Sequence, residues 1–457
     1  MFNRNVIKSY RSFHKSSIGK FKSNLPLNNN KVINEFIDND IKVVYNKKST
    51  SFQFLKENKS FSYNNVFLRD SSTSSNSIDY NSGQKLFTTA SIINSYPINI
   101  EIPNSKQIKI YWNDGDYSIY DQKFLELNST IESRKQDKAK NFEDEIIAWD
   151  SNHNMLTVDN LPRYEYNDYL TNDSTLSLAL NDLNKFGLVQ ITNITKNLSD
   201  EEHESQKLIQ IIGERIAYLK KTFYGEIFDV KSKPNAINIA YTNQFLPLHM
   251  DLLYYESPPG LQLLHFIKNK SKGGENVFVD GFAAARHVKT IDSPAYQALL
   301  TVPINYHYEK NGHSYYYSRP LIVENEVIEQ GGFGEYKDHF REINYSPPFQ
   351  APFDFGITGE VIGDDNNHSK ISGAKEKGDR HLFQDFLRGF KEFEDYINNK
   401  ENQLKFKVEE GSCIIFDNRR ILHARDQFDN NSGERWLKGC YIDKDSYLSK
   451  LRVMKKK

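Results

Sequence analysis

Residues 241–281 read Tyr241-Thr-Asn-Gln-Phe-Leu-Pro-Leu-His249-Met-Asp251-Leu-Leu-Tyr-Tyr-Glu-Ser-Pro-Pro-Gly260-Leu-Gln-Leu-Leu-His265 and run on through Gly273-Gly274 to Asp280-Gly281. His249 and Asp251 stand two apart, so a strand there projects both side chains to one face. An imidazole and a carboxylate so placed supply two of the three ligands of a 2-His-1-carboxylate iron site. The third must come from elsewhere, and of the twelve histidines His423 has the most telling surroundings. Cys413-Ile-Ile-Phe416 reads as a buried strand, Asp417-Asn418 as a turn and Arg419-Arg420-Ile-Leu-His423 as the return. Joining His423 to the 249/251 pair requires strands far apart in sequence to become neighbours, as in a double-sheet jelly roll.

Twelve residues beyond His423, Arg435 opens the strand Arg435-Trp-Leu-Lys-Gly-Cys-Tyr441. Iron(II) held on one face by two imidazoles and a carboxylate keeps three positions open. A 2-oxo acid chelates through two and leaves the third for oxygen. Its far carboxylate calls for a permanent, fork-shaped cation, which is Arg rather than Lys. His307-Tyr-Glu309 has the same spacing as the 249/251 pair, but it precedes the Lys310-Asn-Gly312 turn with no motif around it. His265 and His287 read as core or surface histidines, and Arg420 and Arg425 as solvated or structurally paired.

A chain of 457 residues exceeds one ordinary core, so two domains are expected. With 27 Tyr and 30 Phe it can bury large surfaces, and a net charge of −1 argues against a general nucleic-acid binder. No window approaches eighteen continuous apolar residues, so no membrane span is read. Two cysteines, Cys413 and Cys440, support neither a disulfide framework nor a cysteine-based zinc site.

Residues 1–34 contain no Asp or Glu, while Arg4, Lys8, Arg11, Lys15, Lys20 and Lys22 alternate with serines. Phe2, Val6, Tyr10 and Phe13 make one helical stripe, so residues 1–25 read as a mitochondrial transit peptide directing the protein to the matrix, with a disordered basic tail as the alternative. Residues 32–135 suggest a small β-rich domain with strands at 42–45, 51–54, 66–68, 100–102 and 108–112; Asn113-Asp-Gly115 signals a hairpin. Residues 136–165 read as a linker. The main domain, 166–453, begins with a helix capped near Asp173–Thr175 and closed by Gly187, then the strand Leu188–Ile191. Ser199-x-x-Glu202 is a capping box before a second helix. Many short strands follow, including 237–242, 261–267, 276–280, 413–416 and 435–442, with helices at 281–300 and 382–398. Residues 325–380, rich in Gly, Pro and Asn, read as an excursion, a lid or insertion. The expected fold is mainly β with flanking helices: a double-stranded β-helix (jelly-roll) oxygenase domain behind a small β-rich domain.

The run His249-Met-Asp251…Pro259-Gly-Leu-Gln-Leu-Leu-His265…Gly273-Gly274…Val279-Asp-Gly-Phe282, with Phe416-Asp-Asn-Arg-Arg-Ile-Leu-His423 and Trp436-Leu-Lys-Gly439, resembles the γ-butyrobetaine dioxygenase and trimethyllysine dioxygenase family of TauD-like iron(II)/2-oxoglutarate oxygenases. Phe67-Leu-Arg-Asp70 and Trp112-Asn-Asp-Gly115 extend the likeness into the N-terminal domain. The leader together with Ile343-Asn-Tyr-Ser-Pro-Pro-Phe-Gln-Ala-Pro-Phe353 also resembles a fungal mitochondrial branch of the "altered inheritance of mitochondria" type. The resemblance implies His249, Asp251 and His423 as iron ligands, and Arg435 as the partner of 2-oxoglutarate. Asn276 falls where the wider superfamily has a hydroxyl contacting that co-substrate. A quaternary-ammonium cage falls on Tyr224, Phe228, Tyr241 and Tyr441, whose faces hold by cation–π attraction a group that cannot donate a hydrogen bond. Asn238 matches the butyrobetaine enzyme, where the trimethyllysine enzyme has Asp.

The resemblance further implies O2 as co-reactant, ascorbate as reductant and a homodimer. Departures are Phe228 for Trp and Leu252 for Tyr. The family's zinc site of three Cys and one His falls on Ser72, Ser74, Ser77 and Asp116, so no structural zinc is expected. The implied activity is hydroxylation of a trimethylammonium compound, γ-butyrobetaine to L-carnitine. Trimethyllysine hydroxylation and a non-catalytic scaffold are the alternatives.

Overall fold

The computed structural model describes residues 34–134 apart from 39, 105 and 106, residue 137, and residues 146–456 apart from 196–200, 232–241, 325–339 and 355–373. Residues 1–25, Ser199, and the strand expected at 237–242 save Thr242 lie outside them. The chain divides into two compact units, 1–138 and 139–457.

In the N-terminal unit, Asn34–Asp38, Ile41–Tyr45, Ser49–Phe54 and Lys59–Asn64 form an antiparallel meander, and Pro97–Asn104, Gln107–Trp112 and Tyr117–Asp121 a second sheet. Their alternating apolar positions (Ile41, Val43, Phe52, Phe54, Ile108, Ile110, Trp112) make one core. The strand expected at 66–68 is instead the helix Asn65–Asp70. The Asn64 side chain accepts from the Val66 N–H, and this cap turns the chain after the fourth strand.

The four positions matched to zinc ligands meet in this unit. Ser74 Oγ donates to Asp116 Oδ1 at 2.7 Å, Ser77 Oγ to Asp116 Oδ2, and Ser72 Oγ to the Tyr117 carbonyl at 2.9 Å. The Arg69 guanidinium lies 3.0 Å from Asp116 and donates to Ser77 at 2.7 Å. Burial works against ionising Asp116, yet bonds from Ser77, Ser74 and the Tyr117 N–H and the Arg69 charge lower its pKa. Hydrogen bonds and one buried ion pair join these side chains. Asp116→Ala would leave Arg69 paired with Asp114 alone, 2.8 Å from its Nε, and would remove the acceptor of Ser74 and Ser77, so a loss of about 1–3 kcal/mol is expected. Urea unfolding of the full chain reads this, and an unchanged midpoint would show that the pair contributes nothing.

The second unit is a jelly roll. Its strands are β1 (Arg163–Glu165), β2 (Leu188–Thr192), β3 (Ile227–Lys231), β4 (Leu246–His249), β5 (Leu261–Asn269), β6 (Asn276–Asp280), β7 (Leu404–Phe406), β8 (Ser412–Asp417), β9 (Ile421–Arg425) and β10 (Arg435–Ile442). One sheet has the order β3-β10-β5-β8-β2-β1, and the other β4-β9-β6-β7. All pairs are antiparallel except β1 with β2.

Strand periodicity sorts the side chains. From β5, Leu264 and Phe266 join Ile414, Phe416, Phe278 and Ile421 between the sheets. Leu261 and Leu263 pack outward with Cys413, Ile415 and Cys440 beneath helices α1 (Asp173–Phe186), α2 (Glu201–Glu214) and α6 (Lys444–Lys456). With both faces covered, the central strands are buried almost continuously rather than at alternate positions. His265 lies opposite Cys413 in register, and burial pushes its pKa down to about 4.

Helix α1 has the expected Gly187 terminus, with φ +77° and its N–H on the Leu183 carbonyl, but its cap is Asn172, one residue before the expected span. The helix expected at 281–300 is two, α3 (Gly281–Ile291) and α4 (Ser293–Thr301). Asp292 leaves helical geometry and caps the second, which carries Pro at its start.

Two expectations about connections are corrected. The described part of the linker, 146–165, is packed: Trp149 is fully buried between the sheets and its Nε1 donates to the Phe186 carbonyl at 2.9 Å. Likewise, the excursion at 325–380 has a middle that belongs to the core. Phe340–Ile343 is a strand paired with Ile322–Glu324, and Phe340, Ile343 and Tyr345 are buried. The Ile343 N–H on the Arg419 carbonyl and the Met250 N–H on the Tyr345 carbonyl, both 2.8 Å, pin this segment beside β9 and β4. Helix α5 (Ala374–Asn398) starts before the excursion's expected end.

Candidate active site

Strands β4 and β9 are antiparallel neighbours in which His249 pairs directly with His423. Side chains directly opposite one another on a sheet face are close, and the two imidazole centroids lie 4.2 Å apart. Asp251 is not in the strand, as its spacing from His249 suggested. Strand β4 ends at His249 because Met250 turns its N–H to Tyr345 and Asp251 turns its own to Asn418 Oδ1, 2.8 Å away. Leu252 follows in the left-handed region at φ +60°, a conformation costly for a branched side chain. Asn418 returns a second bond from Nδ2 to the Asp251 carbonyl at 3.0 Å, so the turn before β9 clamps the Asp251 backbone from both sides.

The side chains of His249, Asp251 and His423 bring their ligand atoms within 4.8 Å of one another, the one such group of His, Cys, Asp and Glu among the described residues. His249 Nδ1 donates to the Pro247 carbonyl at 2.8 Å, which directs Nε2 inward, 3.3 Å from Asp251 Oδ1. Burial works against the Asp251 charge, but the His249 bond, both imidazoles and Tyr441 hold its carboxyl well below the usual range. Burial, with His249 adjacent, pushes His423 down to about 3. Two lone-pair nitrogens and a carboxylate converging so closely need a cation or a proton between them. A divalent ion replaces that proton, and the N,N,O donor set suits iron(II).

Around this group the pocket is lined by the aromatic and apolar Tyr224, Phe228, Leu252, Tyr254, Phe349 and Tyr441 and by the polar Gln262, Asn276, Arg425 and Arg435. Arg435 is buried, has no ion-pair partner among the described residues and leaves Nε unsatisfied; burial, then neighbouring Arg425, lowers its pKa to about 9. A buried guanidinium without a counter-charge is costly unless an anion joins it. Asn276 Oδ1 and Gln262 Oε1 also lack partners among the described residues. Asn238 and Tyr241 lie outside the described residues.

Gly439 is opposite Phe228 in register, and a Cβ there would meet the Phe228 ring at 2.4 Å. The glycine therefore makes room for the Phe228 ring in the pocket wall. Gly439→Ala is expected to push Phe228 aside, destabilise by about 1–3 kcal/mol and raise the substrate KM; thermal unfolding and steady-state kinetics check both.

Gln262, Arg425, Tyr254 and Phe349 were not expected at the site. A lone amide inside Gly260-Leu-Gln-Leu-Leu was a usable signal for Gln262, and the two-residue strand step from His423 was one for Arg425. Phe349 arrives through the pinned segment before α5, which carries no local mark of it. His307 and Glu309, the rival pair, are exposed on the hairpin Pro303–Lys310/His313–Pro320.

The sequence profile of the taurine catabolism dioxygenase TauD, TfdA family matches residues 157–441. Among relatives, "Probable oxidoreductase AIM17" of Saccharomyces cerevisiae is 34% identical over 441 residues, 91% of both chains. Gamma-butyrobetaine dioxygenase of Homo sapiens is 28% identical, covering 86% of this chain and 92% of its own. The mitochondrial trimethyllysine dioxygenase of Gallus gallus is 25% identical, covering 85% and 82%. The jelly roll, the converging His-Asp-His group and this match together make the chain a member of the TauD/TfdA family of iron(II)- and 2-oxoglutarate-dependent dioxygenases.

Proposed function

We propose that this chain hydroxylates an unactivated C–H bond of a trimethylammonium compound, γ-butyrobetaine to L-carnitine, coupling it to conversion of 2-oxoglutarate and O2 into succinate and CO2. The observation that carries the substrate class is the pocket wall. Five aromatic side chains (Tyr224, Phe228, Tyr254, Phe349, Tyr441) face the His-Asp-His group, and Asp251 is the one acidic residue among the described lining. Such a wall favours a cation that cannot hydrogen-bond.

In this reading His249, Asp251 and His423 hold the iron, which supplies the oxidising chemistry when bound. Arg435, with Asn276 beside it, orients the far carboxylate of the co-substrate. The rings seat the ammonium group, the family resemblance adds Asn238 and Tyr241 to the substrate-binding set, and the apolar lining excludes water. Ascorbate serves as the reductant. The basic, acid-free leader supports import into the mitochondrial matrix.

Trimethyllysine is the second reading, supported by the relatives of that name; Asn238 favours butyrobetaine over it. Trimethylammonium compounds screened by succinate release, with hydroxylated product identified by mass, test the proposal. Turnover of γ-butyrobetaine in preference to trimethyllysine is expected. Release stimulated by neither sinks the substrate class, and a preference for trimethyllysine sinks the choice within it.

A further inference from the structure

We propose that the Tyr441 hydroxyl is a positioning group for Asp251: it occupies one carboxylate oxygen, presents the other to the metal and ties the substrate wall to the ferrous centre. The inference rests on the ligand reading above and goes beyond the cage role that resemblance gives Tyr441.

The two oxygens of Asp251 have different neighbours. Oδ2 accepts from the Tyr441 hydroxyl at 2.7 Å, while Oδ1 faces His249 Nε2 at 3.3 Å. Asn418 bonds both the N–H and the carbonyl of Asp251 and so fixes the backbone from which the carboxylate projects, while the Tyr441 bond is what marks one oxygen from the other. Tyr441 is itself held. It is buried at the inner face of β10, its carbonyl accepts from the Lys220 N–H at 2.8 Å, and it pairs across the sheet with Gln262. With the ring so held, its hydroxyl donates to the carboxylate.

The consequence is chemical. A carboxylate that closed on the metal with both oxygens would consume a position that the 2-oxo acid and O2 require. A hydrogen bond at Oδ2 holds that oxygen back and orients the ligand, as outer partners of metal-binding side chains do. The same ring stacks on Phe228, centroids 5.0 Å apart at 28°. A ligand that settles against Phe228 and Tyr441 thus bears on the residue that aims Asp251.

Tyr441→Phe removes the hydroxyl and keeps the ring. Mn(II), a redox-inert probe, is titrated calorimetrically into the metal-free full chain, and KM for γ-butyrobetaine is measured on the iron-loaded enzyme. Mn(II) affinity is expected to fall by about tenfold or more, with KM changed less than about threefold. Phe228→Leu is the counterpart: a weakened cage face with the hydroxyl left in place, expected to raise KM and leave Mn(II) affinity alone.

Unchanged Mn(II) affinity in Tyr441→Phe overturns the proposal, and a raised KM beside it returns the hydroxyl to the cage alone. A wild type that binds no Mn(II) overturns the ligand assignment itself. The two failures are thereby distinct.

Discussion

Alanine at His249 is expected to abolish succinate release from 2-oxoglutarate under conditions where the wild type releases it readily. The imidazole is one of three groups whose ligand atoms converge within 4.8 Å, and its Nε2 is directed inward by the Nδ1–H bond to Pro247. Removing it leaves Asp251 and His423, a two-point site on which a chelating 2-oxo acid competes for the ion as readily as the protein holds it. The fold should survive. The lost bond to the Pro247 carbonyl is worth about 1 kcal/mol, and His249 lies at the end of its strand. Circular dichroism and calorimetric Mn(II) titration separate the two effects: folded protein, no tight metal binding. Equal succinate release from mutant and wild type would end the proposed assignment of His249 as a ligand.

Arg435→Met should produce the second large effect, and a different one. The guanidinium is buried in the pocket beside the Phe428 and Phe266 rings, with no acidic partner among the described residues. A carboxylate docking there makes a charge-assisted contact in a water-poor site. Truncating such a pair costs about 2–5 kcal/mol, so the KM for 2-oxoglutarate should rise by about 30-fold or more. Because methionine also relieves an uncompensated buried charge, the metal-free chain should be no less stable. Arg435→Lys should recover only part of the loss, since an ammonium cannot match the two-pronged geometry. A KM within a factor of two of wild type, with intact metal binding, would move the co-substrate's anchor elsewhere, with Arg425 and Asn276 the next residues to test.

Local patterns in the chain carried further for elements than for their connections. The apolar run after Gly260 and the runs around Cys413 and Arg435 became β5, β8 and β10 with boundaries close to those read. Two-faced burial makes such strands conspicuous, because apolar residues stand at adjacent as well as alternate positions. Val66-Phe-Leu68 misled for the converse reason. A short apolar run suits helix and strand equally, and the Asn64 cap decided between them. The Gly-, Pro- and Asn-rich composition of 325–380 hid the core strand Phe340–Ile343, since four residues are too few to show a period against that background. Trp149 was lost in the same way inside a charged stretch.

What the primary structure determined by itself was the chemistry on offer: two imidazoles and a carboxylate in recognisable settings, an arginine opening a strand downstream, an unusual stock of tyrosine and phenylalanine, and serines and an aspartate at the positions that the family resemblance matched to zinc ligands. Only the tertiary structure decided the geometry. It set His249 directly across from His423, moved Asp251 out of its strand onto the Asn418 clamp, turned Tyr441 toward the carboxylate and delivered Phe349 to the pocket. The physical reason is range. Periodicity and capping act within a few residues, whereas register between strands some 170 positions apart is settled by packing two sheets face to face.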